Sequence, residues 1–317
     1  MNRFELIATT RVQNDNPNGD FKMEGSPRQD HDDFGLISGV AITRKLRDLV
    51  YEKNGKVWER AAAIAGIQKA DWQSYGIAEV NDRSFADPDP DAAKNLKRFL
   101  ELSEKEMRSG YWDVRTFGGT YLAKGENGYK QSGPIKVSLG VSVAPVDVMR
   151  MTITSKATKD AETKKRGSDE GIDRGVAPDG VKVVRHGLYV SRIFYCGTNA
   201  LKSGCTSKDI AVFLVTLPHL WKETISSVRC GVEFSRLWFI EHRSPLGGCR
   251  SDELLRALCP KVKDGVEMPP KGDDDYNIPT QLPDELLAKV GNCVDISEGI
   301  ENTAHLKSLF KAGGIEL

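Results

Sequence analysis

The chain has 317 residues, of which 39% are hydrophobic and 28% are charged, so it can bury the core of one or two domain-sized units. No apolar run approaches the roughly 18 residues of a membrane helix, so we expect a cytoplasmic protein that does not bind membranes. The 45 basic and 45 acidic residues cancel. This balance argues against a generic nucleic-acid coat, because such domains are usually basic.

The N-terminal region predicts a strand, a long loop and a helix. Residues Arg3–Val12 alternate between two faces, as in a half-buried strand. Gln13–Gly35 is rich in Asn, Asp, Gly and Pro, and an aperiodic loop of this length is often functional. Ser38 then caps a helix that is predicted to end near Asn54, before Gly55.

This first helix is a candidate anion site. The free amides at a helix N-terminus attract phosphate, and Ser38 adds a hydroxyl. Helical spacing places Arg44 and Arg47 opposite the apolar stripe, with Lys45 on its flank, where they could add charge-assisted hydrogen bonds. The alternative is the solvated polar face of an ordinary amphipathic helix.

The middle of the chain is predicted to be mixed. Residues 56–110 are mainly helical and irregular, and strands are predicted for Trp112–Phe117 and Ile135–Val143. Aromatic side chains here and further on either offer stacking platforms for nucleobases or belong to the core. They are Tyr111, Trp112, Phe117, Tyr121 and Tyr189.

Residues 150–192 form a basic excursion. They hold ten basic residues against six acids, a net charge of +4. The middle of this segment, Ser155–Asp179, has almost no large apolar residue, so it cannot build its own core and should project as an arm. Such an arm could follow a polyanion backbone, or it is a flexible surface loop.

The C-terminal half adds strands around a second helix. Gly187–Tyr195 and Phe234–Glu241 predict strands on either side of a helix from Ser207 to about Ser226, which Pro218 breaks or kinks. Residues 261–317 hold six Lys against eleven acids. The order of elements fits an α+β fold with a β-α-β-β-α-β ferredoxin-like core and large insertions.

The sequence lacks the usual motifs of nucleotide hydrolysis and acyl transfer, namely a phosphate-binding G-x-x-x-x-G-K-[ST] loop and G-x-S-x-G. The six cysteines form no C-x-x-C pair and no His stands at the spacing of a zinc ligand, so we expect no zinc site. His31–Asp33 could bind a hard cation or lie in a solvated loop, and His242 could be catalytic or end a strand.

Six blocks carry a resemblance to a known family. They are NDNPNGD at Asn14–Asp20, GLIS at Gly35–Ser38 leading into RKLR at Arg44–Arg47, WDVRTFG at Trp112–Gly118, GPI at Gly133–Ile135, HGLY at His186–Tyr189 and EHRSPLG at Glu241–Gly247. In this order they resemble the backbone subunit of the CRISPR Cascade complex, the Cas-seven family, in its subtype I-C form. Asp15, Phe21, Thr43 and His186 depart from the Gly, Pro, Lys and Tyr that are common there.

The resemblance implies a hand-like fold built on a modified RNA-recognition motif (RRM). Its palm and fingers core would span residues 1–260, with a helical insertion at about 56–110 and a basic thumb hairpin at about 152–185. Residues 261–317 would be an acidic C-terminal extension of unknown role. The residues expected to bind RNA are Asn16, Asn18, Arg28, Ser38, Arg44, Lys45, Arg47, Arg115, Phe117, Lys156, Lys164, Lys165, Arg166, Arg185 and His186.

The implied function is that of a non-enzymatic subunit, with no metal or other cofactor, which binds the guide RNA (crRNA) of a type I surveillance complex in antiviral defence. Its partners would be copies of itself side by side along the guide, target DNA, other Cascade subunits and a recruited helicase-nuclease. One alternative is a type III-like backbone subunit that cleaves target RNA with Asp20, Asp30, Asp32 or Asp33. Another is a small-molecule enzyme on a ferredoxin-like core.

Overall fold

The computed structural model describes residues 1–79, 102–121, 129–156, 176–312 and 315–317. In these ranges the helices are α1 (Gly39–Tyr51), α2 (Lys56–Ile64), α3 (Glu104–Gly110), α4 (Trp112–Thr116), α5 (Gly197–Ser203), α6 (Ser207–Thr216), α7 (Ser251–Leu258), α8 (Asp284–Leu287) and α9 (Thr303–Leu309). No helix of the described residues is long and apolar enough to cross a membrane.

Strands make up the other half of a mixed fold. They are β1 (Phe4–Asp15), β2 (Gly19–Asp20), β3 (Ser26–Pro27), β4 (Phe34–Ile37), β5 (Gly118–Tyr121), β6 (Tyr129–Ser132), β7 (Ile135–Val137), β8 (Gly140–Pro145), β9 (Val148–Lys156), β10 (Val176–Tyr195), β11 (Val232–His242), β12 (Lys261–Val262), β13 (Tyr276–Asn277) and β14 (Val290–Asp295).

The main sheet is ordered β14-β11-β1-β10-β8-β4, and β7 and β9 also pair with β10. Its ladders are antiparallel. The first strand therefore lies between the two strands that come late in the chain, with Leu6 opposite both Ile193 and Phe239. This order brings the loop after β1 next to the long strand β10.

One face of this sheet packs on helices. Phe4, Leu6, Ala8 and Val12 of β1 share a buried apolar cluster with residues of α1, α2 and α6. The alternation that predicted β1 thus marks a real core face. Ser38 is the N-cap of α1, as predicted, and its hydroxyl accepts the Ala41 N–H at 3.2 Å.

The other face is also covered. Ile7, Trp238 and Ile240 pack there against Leu254 and Leu258 of α7. The acidic C-terminal region contributes as well, because β14 pairs with β11 and Leu282 and Val290 join this second cluster. The region after residue 261 is therefore built into the sheet and its covering layer.

Three secondary-structure predictions were wrong or incomplete. Trp112–Thr116 is a helix with all five residues buried, so the strand predicted for Trp112–Phe117 was wrong, and tertiary contacts decide the local structure there. The strand predicted for Ile135–Val143 is divided into β7 and β8. Thr206, not Ser207, caps α6, and a 3-10 turn at Leu217–His219 follows it at the predicted proline break.

Gly35 is required by close packing where β4 meets the core. A Cβ atom at this position would lie 2.6 Å from two ring carbons of the buried Tyr189. We expect Gly35→Ala to lower the free energy of unfolding by about 1–3 kcal/mol, measured by urea unfolding, because the ring cannot move aside in a dense core. Gly110→Ala is the control, because no atom lies within 4 Å of its Cβ position and the change should not destabilise the chain.

Candidate nucleic-acid interface

The central strands β1 and β10 are covered on both faces of the sheet, so they offer no exposed ring on which a base could stack. Tyr189 is fully buried on the helix side. On the other side, His186 is 2% exposed and lies under the C-terminal region, with its Nε2 3.5 Å from Asp273 and its ring 5.8 Å from that of Tyr276. Burial lowers the pKa of His186. The predicted RNA contact at His186 is therefore closed in this structure by Asp273, which also pairs with Arg11 at 2.9 Å.

Arg115, another predicted RNA contact, is an interior residue. Its side chain is 7% exposed, and its Nη2 lies 2.7 Å from Oδ1 of Asp209. Its Nη1 donates to the carbonyls of Ser74 and Arg108 at 3.0 and 2.8 Å. All three guanidinium nitrogens donate to partners inside the chain, so the prediction that Arg115 faces a phosphate is corrected.

Arg47 is also turned inward, and not onto the solvated face of α1 as helical spacing suggested. It is 6% exposed, with its Nε 3.1 Å from Asp113 and its Nη1 2.6 Å from Glu79. Burial raises the pKa of Asp113, and the Arg47 charge opposes that rise. The buried carboxylate lies 66 positions along the chain, so no local pattern could reveal it. Phe117 is buried beneath Arg47, whose guanidinium lies 4.9 Å from the ring.

Arg44 and Lys45 are partly committed to partners within the chain. Arg44 Nε lies 2.7 Å from Asp48 on the next turn of α1. Lys45 is buried, donates to Thr224 Oγ1 at 2.8 Å and lies 5.3 Å from the ring of Trp221. Burial, reinforced by the nearby Arg229, lowers the pKa of Lys45 to about 8.

Three predicted contacts shape the loop after β1. Asn16 Nδ2 donates to the carbonyls of Gly25 and Lys182 at 2.7 and 3.3 Å. Asn18 Oδ1 accepts the Ser38 N–H at 2.8 Å. These side chains tie the loop to α1 on one side and to β10 on the other, so the N-P-N part of the signature positions the backbone.

Five cations that are exposed or half-buried lie where this loop meets β9 and β10. We name this set, Lys22, Arg28, Arg150, Lys182 and Arg185, the basic surface. Arg150 and Lys182 share one face of the β9–β10 ladder, and Arg185, three residues after Lys182, lies on the other face. The ion pairs of the basic surface are long, since Arg28–Asp20, Lys182–Glu24 and Arg185–Asp147 measure 3.6, 3.5 and 3.7 Å. Exposed pairs of this kind contribute little to stability, so these cations can exchange a carboxylate for a phosphate.

The basic surface contains two like charges side by side. Arg150 and Lys182 are direct partners across the β9–β10 ladder. Like charges opposite each other in a sheet repel, and a bound anion removes that cost. Of the five cations, only Arg28 and Arg185 were predicted as contacts. Lys22, Arg150 and Lys182 were missed, although the charge count over residues 150–192 already included two of them.

Of the other predicted RNA contacts in the thumb, one lies at the end of β9 and three lie beyond it. Lys156 is the last residue of β9, and its backbone pairs with Val176. Lys164, Lys165 and Arg166 lie outside the described residues. The paired strands β9 and β10, which flank the predicted thumb segment, are thus a direct extension of the main sheet.

Two of the four loop aspartates, Asp20 and Asp30, accept backbone hydrogen bonds within their turns. Asp20 Oδ1 accepts the Lys22 N–H at 2.9 Å, and Asp30 Oδ1 accepts the Asp32 and Phe34 N–H groups at 3.0 and 2.9 Å. Within the described part of the chain, no group of three or more His, Cys, Asp or Glu side chains could hold a metal ion.

His242 ends β11 as a buried structural residue. Its Nε2 lies 3.0 Å from Oε1 of Glu5, and its Nδ1 accepts the Gly248 N–H at 3.2 Å. Burial opposes ionisation of Glu5, but its hydrogen bonds with His242 and Ser251 prevail and lower the pKa of the Glu5 carboxyl. These contacts favour the interpretation of His242 as a structural residue at the end of a strand over a catalytic role.

The buried Arg115–Asp209 pair gives a prediction about stability. Removing one partner leaves the other charge buried and unpaired, so we expect Arg115→Ala to lower the free energy of unfolding by about 3–5 kcal/mol. Arg44→Ala is the matched control, since its exposed pair with Asp48 is expected to contribute less than about 1 kcal/mol. Equal effects in urea unfolding would contradict the assignment of Arg115 to the interior.

Comparison with known proteins supplies one family match. The family model described as CRISPR-associated protein Cas7 matches residues 2–281. A solved "CRISPR RNA-guided surveillance complex, pre-nicking" chain is 12% identical over 76% of this chain and 78% of its own, with a TM-score of 0.46. A second "CRISPR RNA-guided surveillance complex" chain is 12% identical over 90% and 98%, with a TM-score of 0.41. Similarity at this level establishes no shared function, and no curated protein matches the sequence.

Proposed function

Because this chain belongs to the Cas7 family of CRISPR-associated proteins, we propose that it is a non-enzymatic backbone subunit that binds a guide RNA. The observation that carries the proposal is the basic surface, where cations with loose partners lie on a loop and a sheet extension that are fixed to each other. Such a surface binds phosphates without reading bases.

The proposed core is RRM-like. Its support is the strand order, in which β1 lies between β10 and β11 and the β7–β8 segment lies outside β10. This is the arrangement expected of a split β-α-β core. Because its face is covered by α7 and the C-terminal region, the RNA in this proposal follows the basic surface at the end of β1 and not the centre of the sheet.

In the proposed complex, copies of the chain lie side by side along one guide, and residues 152–185 form the thumb. Guide pairing reads the target DNA, while the protein holds backbone and shape. The neutral net charge supports packing of copies without broad repulsion, since the positive charge is local. The subtype I-C character and the contacts with other Cascade subunits and a helicase-nuclease belong to the same proposal.

Salt dependence tests the basic surface. For single-stranded RNA, each neutralised phosphate contributes a slope of about −0.7 to a plot of log K against log salt. We expect Lys182→Ala with Arg185→Ala to weaken binding for all sequences and to make that slope shallower by about 1.4. Arg250→Ala with Arg256→Ala on the exposed side of α7 is the control. An unchanged slope in the Lys182/Arg185 variant would exclude this surface as the phosphate site.

Assembly tests the thumb. Lys156 and Val176 are paired, so residues 157–175 can be replaced by a two-residue Asn-Gly hairpin turn. We expect this variant to keep its melting temperature and to bind short RNA, but to form smaller particles on a full guide, measured by mass photometry. A control variant carries a Gly/Ser segment of native length. If the Asn-Gly variant gives particles of native size, residues 157–175 are not needed for assembly.

A further inference from the structure

The turn between β2 and β3 displays two large apolar side chains to solvent. Phe21 is 95% exposed and Met23 is 63% exposed. Phe21 stands where the resembled family commonly has Pro, so the aromatic ring is a feature of this chain. An almost fully exposed phenyl ring gains nothing from the fold of its own chain.

The turn that carries Phe21 is held rigidly. The Gly25 N–H donates to the Asp20 carbonyl at 2.8 Å, and Ser26 Oγ donates to the Met23 carbonyl at 2.7 Å. Gly19 permits the close approach of the two strands, because a Cβ there would lie 2.9 Å from the Gly25 carbonyl oxygen. The Asn16 side chain fixes the same carbonyl from the other side. The ring is therefore presented on a preorganised support, and ordering it on binding costs little entropy.

The cations near the Phe21 ring indicate which class of ligand it would bind. Lys22 is its neighbour in sequence, Arg28 follows in the same hairpin, and Lys182 is joined to the turn through Asn16 and Glu24. An exposed aromatic ring among cations is the combination that binds single-stranded nucleic acid, with the ring under a base and the cations on phosphates. A protein partner is a less favourable ligand, because a pocket that accepts the apolar ring would also have to accommodate these cations.

We propose that Phe21 is a stacking platform for a base of single-stranded RNA held on the basic surface. This inference rests on the proposed function and deepens it, because it adds a contact to a base face where the basic surface supplies only phosphate contacts. Stacking on a π-face is tolerant of sequence, so it suits a subunit that must accept any guide.

The test measures binding of a short single-stranded RNA that carries 2-aminopurine at successive positions. We expect Phe21→Ala to lose roughly 5- to 100-fold in affinity, with an unchanged salt slope because no phosphate contact is removed. Fluorescence at one position should be quenched by the wild type and not by this variant. Phe21→Trp should retain affinity and quenching, while Phe21→Leu, which keeps apolar area but has no π-face, should resemble Phe21→Ala.

Leu201→Ala is the matched control, because Leu201 is 88% exposed and lies beyond the far end of β10. Wild-type affinity and quenching in Phe21→Ala would overturn the stacking role while leaving the proposed function intact. So would a change only in the size of multi-copy particles, which would assign the ring to a protein contact. If the wild type binds no RNA, both proposals fall together.

Discussion

Burial of both faces of the central sheet is the constraint on which the rest of the molecule depends. Apolar residues of β1 alternate between a helix layer and a second layer built from α7 and the C-terminal region. A sheet closed in this way cannot offer its centre to a ligand. In the proposed function, RNA binding is therefore assigned to the end of β1, where a loop and the extension of β10 leave the covered area. Local charge there is compatible with a chain that is neutral as a whole.

The same interior explains why several cations that look available in the sequence are not. Arg47 and Arg115 join Asp113 and Asp209, and so connect α1, α4 and α6 across long sequence separations. Such pairs contribute less net stability than their number suggests, because both charges lose their hydration. Their effect is positional. They fix the rotation of α1 about its axis, and with it the direction in which Ser38 and Lys45 point.

Parts of this fold could be predicted from the sequence where one local signal dominates. Strand alternation identified β1, the Ser38 cap identified the start of α1, and the Pro218 break was found where expected. The short helix α4 could not be predicted, because its form depends on partners far away in the chain. The Arg47 position was missed for the same reason, since helical spacing assigns a charged residue to the solvent unless a buried carboxylate is known.

In the candidate site, too, local sequence signals were informative and contacts between distant parts of the chain were not predictable. The excess of positive charge between residues 150 and 192 was visible in the sequence, but which of these cations meet the loop after β1 depends on the register of β10. The Asn16 and Asn18 side chains were predicted from the motif alone. The structure gives them the role of holding backbone, which a motif cannot distinguish from contact with a ligand.

The length of β10 has a consequence for how this chain can vary. Its 20 residues run without interruption from the paired end of the thumb segment into the centre of the sheet, a span of about 65 Å at strand spacing. Successive side chains point to opposite faces, so losing one residue between Val176 and Arg185 would shift the register against β9 or rotate the following side chains to the wrong face. Insertions and deletions should therefore collect at 157–175, between the paired ends, and be rare along the strand itself.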